Sequence, residues 1–538
     1  MNARLLWLVL ACAATVHAAR ILAVLPTNTK SHYAMYGRLL DALARKNHHL
    51  TVITHFPMKT PPSNVEEISL AGTIPEITNN LTKQNNSLKP NAIQNLEQIM
   101  KECVHACEVV SQNPEVKALV NSTRTFDLVI VEVFGSECFL PFGNRFKAPV
   151  VGLLSSVPLP WVNEQLGNPE GPAYIPAYMM GFGQRMNLWE RFLNTIAVIW
   201  AKIYYKNKSQ IPSQVIADKL FGPGPKLETL AQNYSLVLAN SHYSINEVRP
   251  LVPTLVEVGG LHLDNTQTLP KDLKLLLDNA DEGVIYWSFG SMSRIETIPN
   301  EKLAQIFSAI SELSQMVLVR MNRRLLARNL TVPDNVYTMD WIPQYKTLCH
   351  PNVKLFVSHG GLLGTQETVA CGVPTLVVPL YADQALNGRA MSDRGVARVI
   401  SLKDSTTETW KEAFHDLLTN HRYKERALKL RDIFLDRPMP PLETAVYWIE
   451  YVLRHKGASH MRSPALDLNY TQYLLLDVGA LSIVITSLTI YILHKLFRHL
   501  STRCIRWWPK EILLEKRLFR RNISLFHCFL WIYKVKTN

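Results

Sequence analysis

Short uninterrupted apolar runs recur along this chain, each followed by a helix-like stretch, and that alternation restricts the fold more than any other feature. "RILAVLP" leads into an amphipathic segment from Tyr33 to Arg45 and then into "LTVITHF"; "FDLVIVEVF" and "APVVGLL" come later. Runs without polar alternation suit strands covered on both faces, as in a parallel sheet flanked by helices. A second series begins near Asp281 with "GVIYWSFGSM", continues through a helix from Asn300 to Ser314, and then reads "MVLVRM", "VYTMDWIP", "VKLFVSHGG", "TLVVPLY" and "ARVI". Two such series in 538 residues predict an α/β protein with two Rossmann-like domains facing a cleft. Further helical pieces are expected over Thr409 to Leu435 and Leu442 to Arg454. The aromatic stretch from Tyr174 to Tyr205, with Trp189, Phe192, Ile196, Ile199 and Trp200, reads as a helix that lines a cavity, packs in a core or lies on a membrane.

Both ends of the chain point to a membrane. "MNARLLWLVLACAATVHAAR" has a basic residue, an apolar core and a small-residue cleavage site, the pattern of a secretory signal. Leu474 to Leu493 is twenty residues, about 30 Å of helix, with Asp477 as its one charge. The net charge of +13 would suit nucleic acid, but its location argues against that. From His494 onward there are eleven basic and two acidic residues, so +9 sits beyond the apolar span and only +4 in the rest. That is the asymmetry of a cytosolic tail. The expected topology is type I, with Lys534 and Lys536 placed like a dilysine retrieval signal of the endoplasmic reticulum. The apolar "ISLFHCFLWIY" near the end, with Arg517, Arg520 and Arg521, is expected to contact membrane lipid.

Seven Asn-x-Ser/Thr sequons fall in the expected luminal part: Asn80, Asn85, Asn121, Asn207, Asn233, Asn329 and Asn469. Five cysteines share that compartment: Cys103, Cys107, Cys138, Cys349 and Cys371. The odd count leaves a free thiol or an external partner, and the i, i+4 spacing of Cys103 and Cys107 is no ground for pairing them. No CxxC or histidine pair suggests a metal.

In open α/β sheets, ligands sit beyond the carboxyl ends of the strands. Four strand ends in the second series carry groups suited to a nucleotide sugar. Trp341 offers a flat face for a base and Gln344 can bond its edge. His359 and the Gly360-Gly361 turn open a helix whose amides and dipole favour a diphosphate, with Ser291 as a further donor. Glu367 can accept from ribose hydroxyls, and Asp383 and Gln384 can grip a sugar. For the first domain, transfer to a hydroxyl needs a general base. His32 follows the first strand and starts a helix, where it can look into the cleft with a carboxylate to orient it.

"FVSHGGLLGTQETVACGVPTLVVPLYADQ", with "WIPQ" and "FGS" upstream, resembles the signature of the UDP-glycosyltransferases, in their membrane-bound animal branch and most like the insect members. The resemblance covers nearly the whole chain. It implies a GT-B fold with the UDP-sugar on the C-terminal domain and the acceptor on the N-terminal one. It also implies a catalytic histidine at His32 and a carboxylate partner, which the family writes as aspartate and this chain as Glu132, with Glu137 a nearby competitor. A second departure is Leu363 and Gly364, where many relatives carry polar residues; the diphosphate is then left to backbone amides, His359 and Thr365.

The expected division is a signal peptide (1–19), an acceptor domain (20–260), a linker (261–280), a UDP-sugar domain (281–455), a juxtamembrane linker (456–473), a transmembrane helix (474–493) and a basic cytosolic tail (494–538). The expected reaction is inverting transfer of a hexosyl group from a UDP-sugar, UDP-glucose before UDP-glucuronate, to the hydroxyl of a small lipophilic acceptor, giving a β-glycoside. No cofactor, metal or nucleic acid is expected; a homo- or hetero-oligomer with relatives is allowed. The alternative is a catalytically weak nucleotide-sugar-binding protein that regulates relatives. A nicotinamide oxidoreductase is excluded because "PTNTKSHY", not GxGxxG, follows the first strand.

Overall fold

The computed structural model describes residues 18–75, 81, 92–327 and 330–506. The signal segment, Asn80, Asn85, Asn329 and the tail from 507, with its lysines and apolar stretch, lie outside the described residues. The chain divides into a large unit ending at Leu466 and a second from Asp467 onward.

Within the large unit the alternation resolves into two wholly parallel sheets. The first is built from β1 (Arg20–Leu25), β2 (His49–Thr54), β3 (Val65–Ser69), β4 (Leu128–Glu132), β5 (Val150–Leu154), β6 (Leu236–Ala239) and β7 (Leu255–Glu257), in spatial order β3-β2-β1-β4-β5-β6-β7. The second is built from β8 (Val284–Ser288), β9 (Met316–Arg320), β10 (Val336–Met339), β11 (Val353–Ser358), β12 (Thr375–Val377) and β13 (Ala397–Val399), in order β10-β9-β8-β11-β12-β13. β1, β4, β8 and β11 are apolar and buried nearly throughout, which is why their sequences show no polar alternation. In each sheet the strand order reverses beside the first strand, between β1 and β4 and between β8 and β11. Those two switch points are where doubly wound sheets open a crevice for ligands.

The helices that matter below are α1 (Lys30–Arg45), α2 (Ala92–Gln112), α3 (Leu188–Tyr205), α4 (Ile211–Phe221), α5 (Lys271–Asp278), α6 (Leu362–Cys371), α7 (Gln384–Asp393), α8 (Pro441–Arg454) and α9 (Leu476–Arg506). Two of them redraw the expected boundaries. The stretch 261–280, read as a linker, contains α5, whose Leu273 and Leu277 are buried beside Val284 and Leu318 in the second domain's core. At the other end, α8 returns to the first domain. Its Ala445, Val446, Ile449 and Val452 pack in the cluster that holds Ile21, Leu39 and Leu153, followed by Ala458 and Met461. Lys46 Nζ meets the largely buried Glu450 of α8 at 2.9 Å. Amphipathic pattern marks the apolar face of α8 but not which sheet receives it.

Cys107 pairs with Cys138 and Cys349 with Cys371, while Cys103 is a buried free thiol. The odd count is thereby resolved within the chain. The sequons Asn121, Asn207, Asn233 and Asn469 are exposed. In the second unit, Leu476–Arg503 is long and apolar enough to cross a membrane.

Candidate active site

At the first switch point, β1 ends at Leu25 and a short loop carries the chain into α1, which places His32 in the helix's first turn. Glu132 closes the neighbouring β4. Its Oε1 lies 2.7 Å from His32 Nδ1. A carboxylate can only accept, so Nδ1 is the donor of this pair, and in the neutral ring Nε2 is then the nitrogen with the free lone pair. Glu132 is itself fixed by Thr27, whose hydroxyl reaches both carboxylate oxygens at 2.8 and 2.7 Å and whose N–H donates at 3.3 Å. The ring of Phe134 stands edge-on to the imidazole at 5.0 Å. Glu137, the competing partner in the sequence, is turned elsewhere. It is buried with Gln165, Gln210 and Tyr205, and burial pushes its carboxyl up to about 7.

At the second switch point, Gly290 follows β8 and His359-Gly360-Gly361 follows β11. The His359 ring fills the space between the two turns. A Cβ on Gly290 (φ +74°) or on Gly361 would stand 2.9 or 2.8 Å from the imidazole, so both positions need glycine. Burial lowers His359 to about 4 and leaves it neutral near pH 7. It can therefore serve a phosphate as an N–H donor rather than as a cation. Gly361 caps α6, whose first amides face the same space.

Gln344 links Tyr286 to Glu367, accepting from the Tyr286 hydroxyl at 3.3 Å and donating to Glu367. Burial pushes the Glu367 carboxyl up to about 7. Trp341 is 60% exposed, a platform open to a ligand. Arg320 and, from the first domain, Lys30 hold cations 5.2 and 5.3 Å from its ring centroid. Asp383 caps α7 directly after Ala382, a non-glycine residue held at φ +52°. Strain of that kind persists only where the surroundings fix the backbone, often at ligand loops. Burial pushes Asp383 up to about 6, opposed by an Asn387 hydrogen bond of 2.9 Å. Gln384 is buried, and its side-chain oxygen accepts from the Leu380 and Tyr381 amides at 2.8 and 3.0 Å.

These groups share one cleft of about 650 Å³ between the two sheets. His32, Ser291, Trp341, Gln344, His359, Gly361, Gly364, Glu367, Asp383 and Gln384 all line it. Glu132 stands one shell behind His32. Thr365 is not brought to the cleft: it is buried, and its hydroxyl donates to the Gly361 carbonyl at 3.0 Å. One turn into a helix, a threonine can satisfy itself on the preceding backbone, and here it does.

Several residues at the site have no counterpart in the sequence reading. Thr27 needs the long-range pairing of β1 with β4 to be noticed. Arg320 donates to the Gly290 carbonyl and flanks Trp341, yet in sequence it is only the last residue of an apolar run. His262, from the connection between domains, sits 3.2 Å from the Leu363 carbonyl and 3.9 Å from Glu367. Asn387 was within reach of spacing arguments, since it follows Asp383 by one helical turn.

The family model described as "UDP-glucoronosyl and UDP-glucosyl transferase" matches residues 8–511. The chain is 35% identical over 469 residues to UDP-glucosyltransferase 2 of Dactylopius coccus, covering 86% of this chain and 90% of that protein. It is 28% identical over 493 residues to UDP-glucuronosyltransferase 2B14 of Oryctolagus cuniculus, covering 88% and 92%. Among solved structures, a UDP-glucose: anthocyanidin 3-O-glucosyltransferase in complex with UDP superposes with a TM-score of 0.52 at 16% identity, over 81% of this chain and 99% of that one. The glycotransferase of kitacinnamycin superposes at 0.51, also at 16% identity. These two likenesses establish the GT-B fold.

Proposed function

The chain belongs to the family of UDP-glucuronosyl and UDP-glucosyl transferases, and on that premise we propose that it transfers a hexosyl group from UDP-glucose to the hydroxyl of a small lipophilic acceptor, with inversion. The observation that carries this reading is the 2.7 Å contact between His32 and Glu132, placed across the cleft from Asp383. His32 Nε2 takes the acceptor proton as the oxygen attacks the anomeric carbon. The bond from that carbon to the β-phosphate oxygen breaks, and its electron pair leaves with UDP. Attack from the face opposite UDP turns an α-linked donor into a β-glycoside.

Trp341 stacks on uracil, Gln344 bonds its edge and Glu367 accepts from the ribose. The diphosphate rests on Ser291, His359 and the first amides of α6, with Gly361 and Gly364 allowing close approach. Asp383 and Gln384 hold the hexose. The helix terminus and the His359 N–H stabilise departing UDP, so the reaction is expected to need no metal or cofactor. The sugar's charge follows from its surroundings. Of the cations lining the cleft, Arg38 is paired with Asp264 at 3.2 Å and Arg320 is engaged at Trp341 and Gly290. Asp383 would face a uronate carboxylate as a like charge, which favours a neutral hexose over glucuronate.

The apolar helix, together with the signal and tail patterns of the sequence, supports a single-pass type I protein of the endoplasmic reticulum with its catalytic domains in the lumen. The test is UDP release from labelled UDP-glucose and UDP-glucuronate with a generic phenol, using the full chain in microsomes. The expected result is turnover with UDP-glucose at least tenfold above UDP-glucuronate. UDP binding without turnover across a broad panel of acceptors would overturn the reading.

A further inference from the structure

We propose that the outer face of α3 is a docking surface for a lipid bilayer. Every residue of α3 that is exposed is apolar: Leu188, Trp189, Phe192, Ile196, Ile199 and Ile203. From Trp189 onward they recur at steps of three and four, so they form one stripe along the helix. The opposite face is conventional: Asn194, Val198 and Tyr205 are buried, and Trp200 and Tyr204 pack against the first domain's core. The stripe is thus in addition to a complete interior face, not a substitute for one.

The helix continues past α3. Residues Lys206–Gln210 form a π turn that runs without a break into α4. A π turn inserts one residue and sets the helical phase back by about 100°. That offset carries Ile211 and Val215, both exposed, back onto the line of the α3 stripe, and without it they would fall about a quarter turn away. The stripe therefore extends for roughly 40 Å at about 1.5 Å per residue. Exposed cations punctuate it in the way an interfacial helix requires. Arg185 precedes it, Lys208 lies at the π turn beside Lys206, which is paired with Glu228 at 3.0 Å, and Lys219 follows it. Trp189 stacks on Phe192 at the surface, 5.3 Å between centroids. Trp at such a boundary matches the preference of indole for the headgroup layer.

A bilayer is the occupant these observations select. The chain that presents the stripe also carries a helix able to span a membrane, so this apolar phase accompanies it permanently. A long, narrow, cation-flanked stripe suits a planar interface. The proposal requires only the membrane helix and this face; its first test, by spin label, needs no turnover and so stands apart from the catalytic reading.

The experiment uses the full chain in phosphatidylcholine vesicles containing phosphatidylserine. Nitroxides are placed through F192C and I196C, with D272C as a control in the exposed first turn of α5. Oxygen partitions into lipid, whereas a water-soluble nickel complex does not. We expect the labels at 192 and 196 to collide several-fold more with oxygen than with nickel, and the label at 272 to show the reverse. Nickel accessibility at 192 and 196 equal to that at 272 would overturn the proposal. So would spin–spin broadening at 192, which would assign the stripe to a second copy of the chain. A second measurement uses the exposed-face variant W189S/F192S/I196S/I199S. Its KM for a long-chain alkyl phenol should rise at least fivefold in vesicles while its KM for unsubstituted phenol stays within twofold. Equal shifts for both phenols would count against membrane docking and would leave the catalytic reading untouched.

Discussion

Replacing Glu132 by glutamine removes one negative charge from behind His32 and little else. The structure sets the magnitude. Glu132 touches Nδ1 at 2.7 Å, and the two side chains are 2% and 15% exposed, so solvent screens the pair only weakly. In the transition state the imidazole gains the acceptor's proton and faces that carboxylate as a cation. Two unit charges about 4 Å apart interact by about 4 kcal/mol at an effective dielectric of about 20. That corresponds to about three powers of ten in rate. Glutamine adds a second fault, since its amide can donate to Nδ1 and move the ring proton to Nε2, where the base lone pair is needed. We expect Glu132→Gln to lower kcat by about a thousandfold in a UDP-release assay with saturating donor and phenol. UDP affinity, read by calorimetry, should stay within about threefold, because the donor groups sit on the other domain. Adding His32→Ala to it should cost little more, as the two act as a unit. A kcat within tenfold of the unmodified protein would refute the argument. Parallel loss of UDP affinity would show that Glu132 supports the cleft rather than the base.

His32→Ala should abolish transfer to phenol yet leave UDP binding within a few-fold, and joint loss of both would reassign it to the fold. Trp341→Ala removes the stacking platform; at about 1–3 kcal/mol per stacked base, donor KM should rise about ten- to hundredfold with kcat changed much less. Burial raises Glu367 from 4.5 to about 7 in the folded protein. Its stabilising contribution is therefore fully present below about pH 4.5 and lost as the pH rises through about 7. Glu367→Gln stays neutral, so in thermal unfolding without donor it should exceed the unmodified protein at pH 8 by on the order of 1–3 kcal/mol, the gap closing by pH 5. A variant no more stable at pH 8 would contradict the burial argument. Finally, EDTA should leave UDP-sugar turnover unchanged, and restoration of lost activity by a divalent cation would show that the charge of leaving UDP is handled otherwise.

The two-domain architecture was legible because burial on both faces writes itself into a strand as an unbroken apolar run. The donor groups were legible for a related reason: a glycine turn, a histidine and a carboxylate directly after such a run lie at a strand's carboxyl end wherever the strand sits. The order of the second series followed, and the helix expected from Asn300 to Ser314 is observed from Asn300 to Ile310. The shorter strands β6 and β7 and the long helix α2 carried too weak or too mixed a pattern to be read.

Tertiary structure alone decided what depends on partners distant in the chain. Glu132 and Glu137 differ by five positions, yet one closes a strand beside β1 and meets a histidine one hundred residues away, while the other is buried among glutamines. The same holds for Thr365 turning its hydroxyl to Gly361, for Arg320 reaching Gly290 and for α8 crossing to the other domain. Local periodicity reports how buried a residue is and on which face of its own element. It carries no information about which other element supplies the partner, because that is fixed by strand order and packing once the whole chain has closed.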